Sequence, residues 1–384
     1  MTYLTYSDTQ LEQLDGYWTA REISQQPASW LTAVQNLEQM QAELDEFLKP
    51  ILSTPNMRII FTGAGTSAFA GQCVAPLVMK HHNIRAEAIA TTDLVSNPHE
   101  YFQTDVPTLL VSFARSGNSP ESVAAVKIAE QLVTDCYQLA LTCNEEGLLA
   151  KHCNGNKRKT VLMPTETNDR SFAMTSSFSC MLLSALYLFC PAENFKTQLQ
   201  QCIDATSSLF NTQVDKLNNL SKQQFKRVVY LGSGIFKGLA QESALKLLEL
   251  TDGKTLAAFD SPLGFRHGPK TMVDNQTLVV VFIANDSYTR KYDVDLLLEL
   301  NSDAEAGHVL AITTSTDDIP NLPDSISMVE LSQQSDSLLL LPYIACAQMY
   351  SFFSAINVGN TPDNPSASGT VNRVVQGVNI HPLK

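Results

Sequence analysis

The stretch Val111 to Ser122 reads VSFARSGNSPES and places four small residues directly after an apolar strand. Those residues are Ser116, Gly117, Asn118 and Ser119, and a helical segment follows them. A strand-to-helix turn of this kind suits an anion, because hydroxyls and the first N–H groups of the helix converge there and the helix dipole favours negative charge. The same pattern fits an ordinary polar turn with a helix cap, so the motif alone leaves both interpretations open.

A second turn of this kind, GAGTSA, spans Gly63 to Ala68. Two such turns in one α/β domain predict a phosphorylated small molecule as the ligand. The second turn also satisfies the loose GxGxxG/A fingerprint of dinucleotide-dependent oxidoreductases, which require an acidic residue at the end of the next strand. Asp93 comes too late for that role and follows Thr91 and Thr92. We therefore disfavour a dinucleotide enzyme and expect no cofactor.

The pattern of strands and paired glycines occurs twice along the chain. Buried parallel strands are predicted at Arg58–Thr62, Pro107–Phe113 and Gln138–Cys143, and again at Arg227–Leu231, Thr277–Ile283 and His308–Thr313. The first strand of each set is followed by two glycines, Gly63 and Gly65 in one copy and Gly232 and Gly234 in the other. With helical stretches between the strands, the duplication predicts an α/β fold of two tandem doubly wound, flavodoxin-like, three-layer domains with parallel sheets.

The repeat also suggests domain boundaries. We expect a helical lead-in over residues 1–48, a first domain over 49–205 and a second domain over 206–384. The lead-in contains an amphipathic helix at Leu31–Leu48, and a helical stretch at Asn194–Asn219 joins the domains. The tail after Gly359 is rich in Asn, Pro, Ser and Gly, a composition typical of loops.

The two copies differ where the first has its Ser-Gly-Asn-Ser turn. At the equivalent place the second copy reads Ala284-Asn285-Asp286-Ser287. Asp286 would repel a phosphate, so we expect the phosphate pocket in the first copy and a different contribution from the second.

Composition limits the classes of function. The chain has 384 residues, of which 44% are apolar and 17% charged, and its net charge of −13 disfavours a nucleic-acid partner. Residues 1–10 have no basic residue and no apolar core, so we expect no signal peptide and a cytoplasmic location. Apolar stretches such as Met181–Cys190 are too short to span a bilayer, so we expect no membrane association. The eight cysteines form no CxxC pair and are expected to be buried free thiols. The seven histidines form no HxH or HxxxH pair, so no metal site is expected.

The second copy contains candidate catalytic residues. On the helical stretch Leu239–Leu250, Glu242, Lys246 and Glu249 are spaced i, i+4 and i+7 and so share one face. Such spacing also fits a solvated stripe with one Glu–Lys pair. Further on, His267 follows Arg266 in an irregular loop, where packing does not dictate a histidine and where functional residues concentrate. A lone loop histidine also fits a surface residue with no catalytic role.

Together these residues resemble the sugar isomerase (SIS) superfamily, in the tandem form of the isomerase half of glucosamine-6-phosphate synthase. The matching motifs, in chain order, are Arg21-Glu22-Ile23 with Gln26-Pro27, Gly65-Thr66-Ser67, Ser116-Gly117-Asn118-Ser119, the helix motif Glu242-x-Ala244-Leu245-Lys246-x-x-Glu249, and His267-Gly268-Pro269. Three stretches, SFARSGNSPESVAAV, DSPLGFRHGPK and NTPDNPSASGTVNRVVQGV, resemble the bacterial galactosamine-6-phosphate deaminase/isomerase family, also labelled tagatose-6-phosphate ketose/aldose isomerase.

The resemblance implies roles for particular residues. The substrate phosphate is bound by Thr66, Ser67, Arg115, Ser116, Gly117 and Ser119. Glu249 carries a proton between C2 and C1 of the sugar, with Lys246 and Glu242 beside it, and Glu242 or Glu166 is the next candidate for that base. His267 opens the sugar ring, and an imidazole suits this proton exchange near neutral pH. In the synthase this histidine comes from the partner subunit, so we expect a homodimer or higher homo-oligomer.

Two departures from the synthase set the predicted reaction. The sequence starts Met1-Thr2-Tyr3, and we expect no glutaminase domain to supply ammonia. The loop Asp363–Thr370 lacks the lysine that forms the synthase's Schiff base, and Lys384 lies too far along to replace it. An amino-sugar substrate brings its own nitrogen, so the expected reaction is deamination coupled to isomerisation of galactosamine 6-phosphate. The alternatives are a tagatose-6-phosphate aldose/ketose isomerase without deamination and a non-catalytic sugar-phosphate-binding protein.

Overall fold

The computed structural model describes residues 2–190, 193–366, 368–375 and 377–383. The strands are β1 (Thr2–Tyr3), β2 (Tyr6–Ser7), β3 (Arg58–Thr62), β4 (Arg85–Ala88), β5 (Thr108–Ala114), β6 (Cys136–Thr142), β7 (Arg158–Leu162), β8 (Arg227–Gly232), β9 (Leu256–Asp260), β10 (Thr277–Phe282), β11 (His308–Thr313) and β12 (Asp324–Ser327). The helices are α1 (Asp8–Gln13), α2 (Tyr17–Ser24), α3 (Gln26–Gln39), α4 (Gln41–Leu52), α5 (Thr66–His82), α6 (Thr91–Ser96), α7 (Pro98–Tyr101), α8 (Pro120–Leu132), α9 (Leu148–His152), α10 (Ser176–Phe189), α11 (Phe195–Thr212), α12 (Val214–Ser221), α13 (Ile235–Leu250), α14 (Pro262–Phe265), α15 (Thr289–Asp303) and α16 (Asp336–Asn357).

Packing divides the chain into two compact units, each built from three stretches of sequence. The first-repeat unit comprises Ala28–Asp169, Ser176–Ala192 and Ser368–Lys384, and the second-repeat unit comprises Met1–Pro27, Arg170–Thr175 and Glu193–Ala367. The domain bounds expected from the sequence, 1–48, 49–205 and 206–384, stay a prediction.

The first-repeat unit is built on a five-stranded parallel sheet in the order β4-β3-β5-β6-β7. Strands β3 and β5 are buried along their whole length, as their apolar sequences require in a parallel sheet that is covered on both faces. On one face Ile60 and Leu110 pack in a core with residues of α6 and α8, and Ile380 of the C-terminal tail packs against the same core. On the other face the ring of Phe61 lies against Phe189 of α10.

The second-repeat unit has a five-stranded parallel sheet in the order β12-β11-β10-β8-β9. One face packs on α15 through residues such as Val279 and Leu297. On the other face Tyr343 of α16 stacks on Phe282. By length and composition α16 could cross a membrane, but 94% of its apolar window is buried inside the structure, as in a core helix.

Two parallel sheets flanked by helices confirm the expected fold class. All six strands predicted from the sequence are present, with ends within two residues. The stretch Leu31–Leu48 was predicted as one helix, and this is wrong: α3 and α4 meet at Met40, whose backbone leaves the helical conformation. Since no proline or glycine marks that position, the sequence carries no local signal for the break. All eight cysteines are free and buried, as predicted.

Candidate active site

The two predicted phosphate-binding turns lie next to each other at the carboxyl ends of the strands of the first-repeat sheet. Strands β3 and β5 are hydrogen-bonded neighbours, with Thr62 paired to Ser112, so the turns that follow them lie side by side. Thr66 and Ser67 form the buried first turn of α5, and the Ser116–Ser119 turn leads into α8. We call Thr66, Ser67 and residues 115–119 the first-repeat cradle.

Hydrogen bonds from the loop after β6 fix the second of these turns. Asn144 Nδ2 donates to the carbonyl of Ser116 at 2.8 Å, and the N–H of Leu148 donates to Asn118 Oδ1 at 3.0 Å. Ser119 Oγ donates to Ser122 Oγ at 2.6 Å on the first turn of α8. The turn is therefore held in place by its own protein contacts, which suits a preorganised anion site.

Arg115 supplies a buried cation to the first-repeat cradle. Its side chain donates from Nη2 to the carbonyl of Arg373 in the C-terminal tail at 2.8 Å. Arg373 in turn donates from Nε to the carbonyl of Asp169 at 3.0 Å. The tail is thus tied to the cradle by two arginines, and Arg373 is a residue that sequence reasoning did not single out.

The glycines confirm that the two copies have equivalent turns. Gly65 and Gly234 both have φ of +55°, with ψ of −127° and −120°, a conformation that disfavours any side chain. A Cβ on Gly63 would lie 2.5 Å from the Cβ of Ser67, and one on Gly232 would lie 2.6 Å from the Cβ of Phe236. Phe236 therefore occupies, in the second copy, the place that Ser67 has in the first.

Carboxylates of the protein itself occupy the turns of the second copy. Asp293 accepts hydrogen bonds from Ser233 Oγ at 2.5 Å and from the N–H of Ala284 at 3.0 Å. Asp336 accepts from the N–H of Asn285 at 2.6 Å and from that of Asp286 at 3.3 Å. The donors at these turns are engaged by internal carboxylates, so the expectation that the second copy does not bind phosphate has a structural reason.

Glu242, Lys246 and Glu249 meet on α13, as their spacing predicts, and we call them the Glu–Lys–Glu cluster. Lys246 forms ion pairs with Glu242, at 3.6 Å, and with Glu249. The side chains of Glu242 and Lys246 are fully buried, whereas that of Glu249 is 24% exposed. Burial of two members excludes a solvated stripe, and Glu249 is the partly exposed carboxylate of the cluster.

The end of α13 is packed by residues distant in sequence. Leu250 forms a small core with Ala173 and Ala355, and Asn360 Nδ2 donates to the carbonyl of Leu250 at 2.8 Å. The segment that carries Ala173 is held by Glu22, the buried glutamate of the Arg-Glu-Ile motif, whose carboxylate accepts from the hydroxyl of Ser171. These contacts fix the end of the helix that presents Glu249.

The other predicted residues belong to neither of these two groups. His267 is exposed on the loop between α14 and the 3₁₀ turn Pro269–Met272 of the second-repeat unit. Glu166 is exposed in the first-repeat unit, where it accepts a hydrogen bond from Ser29 Oγ at 3.2 Å. Lys384 lies outside the described residues. The cradle belongs to the first-repeat unit, and the Glu–Lys–Glu cluster and His267 belong to the second-repeat unit.

The duplicated turns and the cluster agree with a family comparison. The model of the SIS domain matches residues 51–190 and again residues 221–356. The chain belongs to the SIS domain family. Its two SIS domains correspond to the two sheets, and each matched range contains one turn with paired glycines.

The similarity to individual SIS proteins extends over the whole chain. The chain is 48% identical over 379 residues to the D-galactosamine-6-phosphate deaminase AgaS of Escherichia coli, covering 96% of each protein. It is 46% identical over 385 residues to the protein of the same name from Shewanella sp. (strain ANA-3), covering 99% of this chain and 96% of that relative. Among solved structures, the tagatose-6-phosphate ketose/aldose isomerase of Escherichia coli matches with a TM-score of 0.87 at 44% identity, covering 96% of this chain and 97% of that one.

Proposed function

We propose that this SIS protein converts galactosamine 6-phosphate and water into tagatose 6-phosphate and ammonium. The likeness to proteins named D-galactosamine-6-phosphate deaminase, over 96% of both chains, carries the choice of substrate. The Glu–Lys–Glu cluster supports the chemistry, because it holds one partly exposed carboxylate against a buried ammonium group.

In this proposal the first-repeat cradle holds the phosphate of the substrate. Thr66, Ser67, Ser116 and Ser119 supply hydroxyls, Arg115 supplies the positive charge, and the backbone at Gly117 and the first turns of α5 and α8 supply N–H donors. Binding of the unreactive phosphate end fixes the orientation of C1 and C2 for proton transfer, and this positioning raises the reaction rate.

The reaction then needs two proton transfers by the protein. His267 moves a proton between the ring oxygen and O1, which opens the sugar to the free aldehyde. Glu249 removes the proton from C2 and returns it to C1, while O1 takes up a proton that the C2 ammonium group releases, so the aldehyde becomes a CH₂OH group and C2 becomes an iminium carbon. Water adds to that carbon, the C–N bond breaks, and the products are the C2 ketone and ammonium.

The nitrogen of the substrate explains why no lysine of the protein is required. The amine on C2 becomes the imine itself, so the reaction proceeds with the sequence of the Asp363–Thr370 loop as it stands. N-acetylation would turn this nitrogen into an amide that cannot form the imine. We therefore propose that the N-acetylated sugar phosphate is not a substrate.

A second candidate is aldose–ketose isomerisation of tagatose 6-phosphate without deamination. The name of the Escherichia coli structure, a tagatose-6-phosphate ketose/aldose isomerase, favours it. The same base and ring-opening residue would serve both reactions. Ammonium release from galactosamine 6-phosphate, compared with glucosamine 6-phosphate and N-acetylgalactosamine 6-phosphate, separates the candidates: the deaminase proposal requires release from the first, slower release from the second and none from the third.

We further propose that the protein is a homodimer or higher homo-oligomer in the cytoplasm. The exposed position of His267 supports a site that is completed by a neighbouring subunit, because an exposed imidazole is accessible to a second copy of the chain.

A further inference from the structure

The orientation of the His267 side chain depends on the conformation of the loop that carries it. The imidazole is exposed, and within the described residues no hydrogen bond holds it. A proton-transfer group must nevertheless stand within hydrogen-bond reach of the atoms that it serves. Whatever fixes the backbone of residues 266–270 therefore fixes His267.

Ion pairs to α15 hold this loop on both sides of the histidine. Glu299 Oε2 lies 2.8 Å from Arg266 Nη2, and the other oxygen of the same carboxylate pairs with Lys270 Nζ. Asp303, one turn further along α15, lies 2.5 Å from Lys270 Nζ. Glu299 thus bridges two cations that flank His267, whereas Asp303 pairs with one of them.

Packing anchors the ends of the same loop. Phe265 is buried in the core between the sheet and α15, and Met272 packs against that core. The N–H of His267 donates to the carbonyl of Gly264 at 3.0 Å. Between these anchors the side chains of Arg266 and Lys270 are 32% and 26% exposed. Exposed ion pairs contribute little to overall stability, so the contribution of Glu299 to orientation can be measured separately from its contribution to folding.

We propose that Glu299 is a positioning residue: by bridging Arg266 and Lys270 it holds the loop so that His267 reaches the sugar ring oxygen and O1. This inference rests on the proposed role of His267 in ring opening. It assigns to Glu299 no contact with the substrate, since its carboxylate is engaged by the two cations of the loop.

The test compares Glu299→Gln with Asp303→Asn, a matched removal of one negative charge that leaves the bridge in place. For Glu299→Gln we expect kcat for ammonium release to fall roughly 10- to 100-fold, with KM and the thermal unfolding midpoint nearly unchanged. For Asp303→Asn we expect a loss of less than about threefold. Added to His267→Ala, the Glu299→Gln change should lower kcat no further, because there is no imidazole left to position.

Three results would overturn the proposal. The first is a Glu299→Gln enzyme with wild-type kcat. The second is a further fall of the same size when Glu299→Gln is added to His267→Ala, since this would indicate a general structural defect. The third is a His267→Ala enzyme with full activity. The first two leave the proposed deaminase reaction intact, and only the third also removes the ring-opening role, so the failures are distinguishable.

Discussion

Lys246 is fully buried between two carboxylates, and this arrangement gives the two glutamates different environments. Glu242 is enclosed, while the side chain of Glu249 is 24% exposed and ion-paired to the same lysine. A buried ammonium is stable only with such partners, because burial of an unpaired charge is costly. The lysine therefore fixes the position of Glu249, and the proposed mechanism uses that carboxylate as the base.

Replacement of Glu249 by glutamine tests its assignment as the base. We expect kcat to fall roughly 10²–10⁴-fold with KM largely preserved, because the amide keeps the shape but cannot accept a proton. Exchange of the C2 hydrogen with solvent deuterium, followed by NMR, should fall in parallel. Glu46→Gln, on the exposed face of α4, serves as the control. Near-normal exchange in Glu249→Gln would transfer the role to Glu242 or Glu166.

Asp293 gives the molecule a pH-dependent stability. Burial raises the pKa of its carboxyl group to about 7 from 3.8, while hydrogen bonds from Ser233 and Ala284 act in the opposite direction. Asp336 raises the pKa further and Arg290 lowers it. Between pH 3.8 and about pH 7, the carboxyl group of Asp293 is protonated in the folded state and ionised in the unfolded chain. The stability contributed by this proton is complete below about pH 4 and disappears as the pH rises through 7.

Asp293→Asn should remove this pH dependence. The amide can accept from the N–H of Ala284 and donate to Ser233, so the fold is kept without a titrating group. Measured by chemical denaturation between pH 5 and pH 8, the unfolding free energy of the wild type should fall relative to that of the variant by about 2–4 kcal/mol. The control is Asp295→Asn, an exposed neighbour on α15. Parallel curves for wild type and Asp293→Asn would contradict the assignment.

At the scale of elements, the sequence predicts the central strands and misses the edge strands. Strands such as β3 and β10 are continuous apolar runs buried along their whole length, which is the pattern a covered parallel sheet requires. The edge strand β4 is short and partly exposed, and its sequence RAEA has no apolar run to recognise. Strand β9 contains the apolar stretch Leu256–Phe259 but is also short and partly exposed, so it lacks the buried pattern of a central strand. These segments form strands because they pair with β3 and β8, and their own sequences do not indicate it.

The same distinction applies to the candidate site. The turns at Gly63–Ala68 and Ser116–Ser119 and the spacing of the Glu–Lys–Glu cluster are local patterns, and they could be found from the sequence. Arg373 and Glu299 could not, because each acquires its partners from a segment far away in the chain. A cation in a polar tail and an acidic residue on a helix are, by composition alone, ordinary surface residues.

Loss of hydroxyl groups from the first-repeat cradle should affect substrate binding most. Replacing Ser116 and Ser119 together by alanine removes two hydroxyls from a turn that is otherwise fixed by Asn144 and Leu148. We expect KM for galactosamine 6-phosphate to rise strongly, on the order of 10- to 100-fold, because hydrogen bonds to a charged group are among the stronger ones. Ser287→Ala in the equivalent turn of the second copy should leave KM unchanged. Equal effects of both changes would refute the asymmetry of the two copies.

At the scale of the whole molecule, the two copies of the duplicated fold differ at their equivalent turns. The first-repeat unit has the turns in which we propose the phosphate site, whereas the second-repeat unit engages the equivalent donors with its own carboxylates and carries the Glu–Lys–Glu cluster. The composition of the units could not be predicted from local patterns, because residues 1–27 and 170–175 pack with the second repeat.

Subunit sharing is testable by complementation. If His267 serves the site of a neighbouring subunit, mixing the impaired Glu249→Gln and His267→Ala proteins should restore part of the activity, because some sites in the mixed oligomers receive both intact residues. Fluorescent labels on the two proteins verify that subunits have exchanged. No recovery after verified exchange would mean that each chain builds its own site.

The deaminase reaction is tested most directly by measuring ammonium and tagatose 6-phosphate together in one reaction of the purified protein with galactosamine 6-phosphate. We expect equal amounts of the two products throughout the time course, and neither product from N-acetylgalactosamine 6-phosphate. If the protein interconverts tagatose 6-phosphate with its aldose but releases no ammonium from either amino sugar phosphate, deamination is contradicted and the isomerase alternative stands.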